Sequence, residues 1–223
     1  METNFYPTIK EYDKYWKGQK KRAQARVKDS ISPLFTTARD RITTDMLSVL
    51  NNRRYLAISD LRKRMIAVKR DPKIKQVEEI IISVNNKSLM EIYKNQEAHY
   101  KEEVPNVCDD IYPWSPFSCK ADPLSNKEIN DLKLTPFLGS TFKEWIDNNS
   151  ADAVKQWNNK FRSIMIGDIR SATAVSRDVQ LVQSARNILN TNESRNSTIF
   201  ENAMIEVSRK AQADVQGAIW PSL

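Results

Sequence analysis

Apolar residues recur at steps of three and four along most of the chain, the spacing that gathers them on one face of an α-helix. Over 33–51 the set is Leu34, Ala38, Ile42, Met46 and Val49, with Pro33 in the first turn, where its missing N–H is not needed. Ile58, Leu61, Met65 and Val68 predict a second helix over 55–70, stopped near Asp71-Pro72. Residues 74–84 fit two patterns. Ile80-Ile81-Ile82 with Val84 suits a short strand, whereas Ile74, Val77, Ile81 and Val84 suit a helix; the helix is preferred because no partner strand is evident. Asn85-Asn86 is expected to break it, and Ser88 to cap a further helix through Leu89, Ile92, Tyr93 and Gln96.

Residues 104–124 hold Pro105, Pro113, Pro116 and Pro123 and are expected to form an irregular connector, because proline fixes φ and removes a donor. Ile111, Tyr112, Trp114 and Phe117 make this stretch too apolar for a free linker. Beyond it, Ser125 with Glu128 and Thr141 with Glu144 match capping boxes. Ser150 reads as the cap of a helix from Ala151 to about Arg170, striped by Val154, Trp157, Phe161, Ile164, Met165 and Ile169. A further helix is expected after Ser171 or Thr173, carrying Val175, Val179 and Val182. Asn190-Thr191-Asn192 reads as a turn. A last helix from about Ser197 carries Phe200, Ala203, Val207 and Ala211 and ends before Pro221. The pattern predicts an all-α fold. It comprises extended or loosely bundled helices in 1–104, a Pro-rich connector over 105–124 and a compact helical domain over 125–223.

Composition narrows the chemistry. The chain has 223 residues, 40% hydrophobic and 28% charged, enough for one domain or two small ones. No stretch approaches the roughly 18 consecutive apolar residues of a membrane span, and Met1–Tyr6 shows no secretory leader, so no membrane partner is expected. Only 4 Gly are present, and neither a G-x-G-x-x-G nor a P-loop string occurs. His99, Cys108 and Cys119 are too few for metal or nucleophile chemistry; the cysteines are read as free thiols and His99 as a surface or interface residue. Asp109-Asp110 with Glu102-Glu103 could seed a magnesium site for a nuclease, but no second carboxylate cluster supports it. The Asn-x-Ser/Thr triplets at Asn148, Asn192 and Asn196 match glycosylation acceptors only as strings. The expectation is a non-enzyme with no catalytic residue, metal or cofactor.

Charge is uneven. Residues 1–104 carry 22 basic against 14 acidic side chains, and residues 105–223 carry 13 against 14. The excess is densest over Lys10–Lys28 and Arg53–Lys75. Lys20, Lys21, Arg22, Arg26, Lys28, Arg53, Arg54, Arg62, Lys63, Arg64, Lys69 and Arg70 are therefore the candidates for nucleic-acid contact, since neutralised phosphates release counterions. The same runs also suit solvated helix faces. Tyr12, Tyr15 and Trp16 interleave with the first run as packing residues or base-stacking platforms. Trp145, Trp157 and Phe161 are the candidate apolar scaffold of a protein interface.

The segment Thr135-Pro136-Phe137-Leu138-Gly139-Ser140-Thr141-Phe142-Lys143-Glu144-Trp145 resembles an element of the minor head proteins of tailed bacteriophages, the Mu F-like head-morphogenesis family. The order downstream is similar, with Gly167 at a helix end, a small-residue turn leading into a Thr173-led helix, and an Ala-rich helix over Arg195–Ala203. Ser171 stands where the family has its second Gly, and Glu201-Asn202 where it has Arg-Thr. The resemblance spans about 135–215. It implies a structural virion component in several copies, made in the host cytoplasm and placed at the portal vertex or head interior. There it would meet other head proteins and packaged double-stranded DNA without base readout. The alternative is a non-viral helical nucleic-acid-binding or regulatory protein.

Overall fold

The computed structural model describes residues 7–113, 122, 124–134, 136–137, 139–166 and 174–219. The fold is all-α. Helices α1 (Ile9–Ser30), α2 (Ser32–Leu50), α3 (Arg53–Leu56), α4 (Leu61–Lys69) and α5 (Pro72–Ile111) come first, followed by α6 (Asn126–Leu134), α7 (Phe142–Ile166) and α8 (Ala174–Ile219). A two-residue hairpin joins α6 to α7: β1 (Pro136–Phe137) pairs antiparallel with β2 (Ser140–Thr141), Pro136 opposite Thr141. Gly139 turns it at φ 84°, a backbone region that costs glycine nothing.

Local chemistry sets most helix ends. The capping boxes form as predicted. Ser125 Oγ accepts from Glu128 N at 3.2 Å while Glu128 Oε2 accepts from Ser125 N at 2.8 Å, and Thr141 with Glu144 does the same at 3.2 and 2.6 Å. The second box starts α7 at Phe142, so Ser150 lies inside that helix rather than capping one. The single helix expected over 55–70 is two, because Asn52 and Asp60 each cap a separate start, accepting from Arg54 N at 2.9 Å and Lys63 N at 3.0 Å.

The expected breaks at Asn85-Asn86 and Asn190–Asn192 do not occur. Asn85 and Ser88 are fully buried and return their polar atoms to the preceding turn, to Ile81 O at 2.7 Å and Val84 O at 2.8 Å. Thr191 does likewise to Asn187 O at 3.0 Å. Helix α5 therefore runs unbroken for 40 residues and α8 for 46. Pro105 lies inside α5, so the connector expected from 105 is helical as far as Ile111. Both Pro105 and Lys101, whose carbonyl it leaves without an intrahelical donor, are on the solvent side. Trp114, Pro116, Phe117 and Pro123 lie outside the described residues, as do Ile169, Ser171, Thr173 and Pro221.

The chain divides into two compact units, and neither matches the expected split at 104/105 or 124/125. One unit is Met1–Ser30 with Leu89–Glu144 and Ser197–Leu223; the other is Ile31–Ser88 with Trp145–Asn196. In the first, Tyr15, Val104, Val107, Ile111, Val207 and Ala211 belong to one buried cluster. In the second, Phe35, Ile42, Met46, Met65, Val77 and Leu181 are buried, none more than 1% exposed.

Candidate nucleic-acid interface

Helix α1 separates its cations by type. Lys10, Lys14, Lys17, Lys21 and Lys28, at steps of four, three, four and seven, fall on the side opposite buried Tyr15, Gln19 and Ala23, and all are exposed. The stripe is about 27 Å long at 1.5 Å per residue. Lys20 is exposed at its flank. Among the described residues only Lys14 has an ion-pair partner, at 2.6 Å from Asp110, while remaining 70% exposed.

Arg22 and Arg26 are engaged differently. Arg22 holds Glu103, which has no solvent exposure, in a two-pronged pair at 2.6 and 2.9 Å. Arg26 reaches Glu102 at 2.5 Å and Asn95 Oδ1 at 3.1 Å. These two arginines tie α1 to α5 and are withdrawn from the candidate surface. Tyr15 is wholly buried, and Tyr12 and Trp16 are half-buried, packed against the same cluster.

The second basic run divides in the same way. Arg64 is 3% exposed, with Nη2 at 2.5 Å from Asp178 and 3.2 Å from Leu50 O; it is a core residue joining α4 to α2 and α8. Arg53, Arg54, Arg62, Lys63, Lys69 and Arg70 are exposed. Arg62, Lys63, Lys69 and Arg70 share the outer side of α4 with Ile66. Among the described residues the one carboxylate paired with them is Asp60, 4.0 Å from Lys63; Asp71, next to Arg70 in the chain, accepts from the Tyr55 hydroxyl.

The aromatic scaffold proposed for a protein interface is internal. Trp157 and Phe161 are 2% exposed and meet edge-to-face at 5.5 Å, because their stripe on α7 faces the core of its unit; Trp145 is half-buried. The acidic pairs do not converge. Glu102, Glu103 and Asp110 each face a different cation, and among the described residues no group of three His, Cys, Asp or Glu could hold a metal.

Two readings of single residues are corrected. Cys108 is disulfide-bonded rather than free, and Cys119 lies outside the described residues. His99 is fully buried, not a surface residue. It lies on the face of α5 shared with Gln96 and Glu103, which packs inward, and burial pushes its imidazole down to about 4 despite the Glu103 carboxylate nearby. Its Nε2 is 3.1 Å from Ser208 Oγ and 3.9 Å from Glu103 Oε1. Serine, histidine and glutamate are the residue types of a hydrolytic triad, yet here both neighbours meet the same ring nitrogen. Nδ1, where an orienting carboxylate would sit, has no partner. Ser208 Oγ donates to Met204 O at 3.1 Å, and neither it nor Glu103 reaches solvent. The arrangement is a packed polar layer.

Sequence reasoning missed a second such layer. Asn149 Nδ2 donates to Asn196 Oδ1 at 3.1 Å and Asn196 Nδ2 donates to Asn85 Oδ1 at 2.6 Å, linking α7, α8 and α5 through buried amides. Asn85, Asn192 and Asn196 occupy positions on the inner stripes of their helices, and that was the available signal. Burial also removes Asn192 and Asn196 as glycosylation acceptors. A groove of about 540 Å³ between α7 and α8 is lined by Gln156, Asn159, Lys160, Ser163, Ser184 and Asn187 among others, side chains that hydrogen-bond but supply no acid–base pair. No helix among the described residues is long and apolar enough to cross a membrane. Comparison with protein-family models, curated proteins and solved structures finds no match.

Proposed function

We propose that this chain is a non-catalytic structural component of a tailed-phage head, a minor head or portal-associated protein that contacts packaged double-stranded DNA without reading its sequence. The family part of this reading rests on the resemblance over 135–215. The DNA part rests on one observation: α1 carries a row of exposed lysines, four of the five without a carboxylate partner among the described residues, while its arginines are held by Glu102 and Glu103. Lysine is a mobile point charge that suits phosphate neutralisation, which matches a backbone contact rather than base readout; among the described residues the large apolar side chain exposed on α1 is Ile9, at its first position.

The test is a fluorescence-anisotropy titration of the full chain with 30-base-pair duplexes of unrelated sequence, across a range of salt. Affinity should be equal for all duplexes and fall steeply with salt. Replacing Lys17, Lys21 and Lys28 together by Gln should lower the log–log salt slope by about 3, close to 0.9 for each lost phosphate contact. A slope unmoved by the triple variant, or a strong preference for one sequence, would refute the reading.

A further inference from the structure

The geometry points to the α3–α4 corner as a docking surface for an acidic amphipathic helix of a protein partner. This goes beyond the polyanion contact of α1 and does not depend on it.

The corner differs from α1 in kind. Its cations are mostly arginines (Arg53, Arg54, Arg62 and Arg70, with Lys63 and Lys69), and large apolar side chains stand exposed among them. Leu56 is 54% and Ile66 37% exposed, and Ile66 lies in the middle of the four α4 cations. A phosphate backbone would neutralise these charges but offers nothing to cover the apolar pair. An amphipathic helix bearing Asp or Glu beside its apolar stripe answers both features. Carboxylates can pair with the flat arginine forks in two-pronged fashion, and the stripe covers Leu56 and Ile66. Arginine beside a desolvated apolar contact is also the composition enriched at protein-binding hot spots.

An anionic lipid surface would supply charge and apolar contact too. Stable interfacial docking draws on a broad apolar face, commonly with aromatic anchors. Here the one aromatic residue of 53–70, Tyr55, is buried, with its hydroxyl donating to Asp71 at 2.7 Å. The protein partner is therefore the better fit. It also supplies a docking surface that buried Trp157 and Phe161 do not.

The probes are a 21-residue synthetic helix with Glu on one face and Leu on the other, its Lys-for-Glu counterpart, and phosphatidylcholine vesicles containing one-fifth phosphatidylserine. Full-length protein should bind the acidic helix and not the basic one. The Leu56→Ser/Ile66→Ser variant, altered only at exposed positions, should bind it about tenfold or more weakly while its DNA salt slope stays unchanged. The Arg62→Glu/Arg70→Glu variant should lose the helix altogether. The proposal fails if the Leu56/Ile66 variant binds the acidic helix as tightly as the parent. It fails equally if both peptides bind alike, or if the vesicles sediment the protein while the acidic helix leaves it free. Because the α1 lysines are intact in every variant, loss of the DNA reading and loss of this one are separate results.

Discussion

Burial decides the chemistry of His99. The unfolded imidazole titrates near 6.5 and the folded one at about 4, so between those values only the unfolded chain takes up the proton. Stability should therefore fall as pH drops through that window and level off, for this group, below it. The loss should be on the order of 3 kcal/mol, visible as a drop in urea midpoint between pH 7.5 and 4. His99→Gln, which keeps a partner for Ser208 but does not titrate, should remove this part of the pH dependence; an identical profile in the variant would show that the ring is not desolvated. The sequence held only half of this. A single histidine on a helix is visible, but its depth depends on which face of α5 is covered, and that face is defined by α1 and α8 residues far away in the chain.

At the scale of the helices, the buried amides carry the argument. Asn192 is 2% exposed and neither its Nδ2 nor its Oδ1 has a partner, whereas Asn196, one turn on, has both amide atoms paired. Asn192→Leu should raise stability by about 1–2 kcal/mol, since it removes an unsatisfied buried group, while Asn196→Leu should lower it by a similar amount or more by stranding Asn85 and Asn149. Urea melts of the two variants should move in opposite directions. The same residues explain what was legible. Helix type, the inner stripes and both capping boxes follow from local spacing and local hydrogen bonds. The extents of α5 and α8 do not, because asparagine pairs are turn formers only while their side chains bond the backbone outside a helix. Here Asn85 and Thr191 bond back to the carbonyl four residues earlier, Ile81 and Asn187, inside the helix, and Asn85 Oδ1 accepts across from Asn196, so the helices continue. Likewise the basic runs were visible as runs, but Arg22, Arg26 and Arg64 left the candidate surface because of carboxylates 81, 76 and 114 positions away.

For the molecule as a whole, the change of net charge near residue 104 proved a poor guide to architecture. Each compact unit is assembled from non-adjacent segments, and α5 and α8 contribute residues to both. Charge along a chain reports on surface composition, whereas a unit is defined by which apolar stripes cover one another. A polypeptide of residues 1–104 would keep α1 but lose Val207, Ala211 and Val215, which complete the cluster around Tyr15. That fragment should lack a cooperative thermal transition by circular dichroism and be cut by protease far faster than the full chain. A fragment with a sharp transition would mean that the front of the chain folds unaided.

The contrast between guanidinium and amine on α1 has one more consequence. Acetyl transfer and other acylating chemistry neutralise primary amines and leave guanidinium groups untouched. Acylation of the outward row would erase its attraction for anions, while the Arg22–Glu103 and Arg26–Glu102 ties that seat the helix would stay intact. Of the ties from α1 to α5, acylation of the row would release the Lys14–Asp110 pair and leave the two arginine pairs in place.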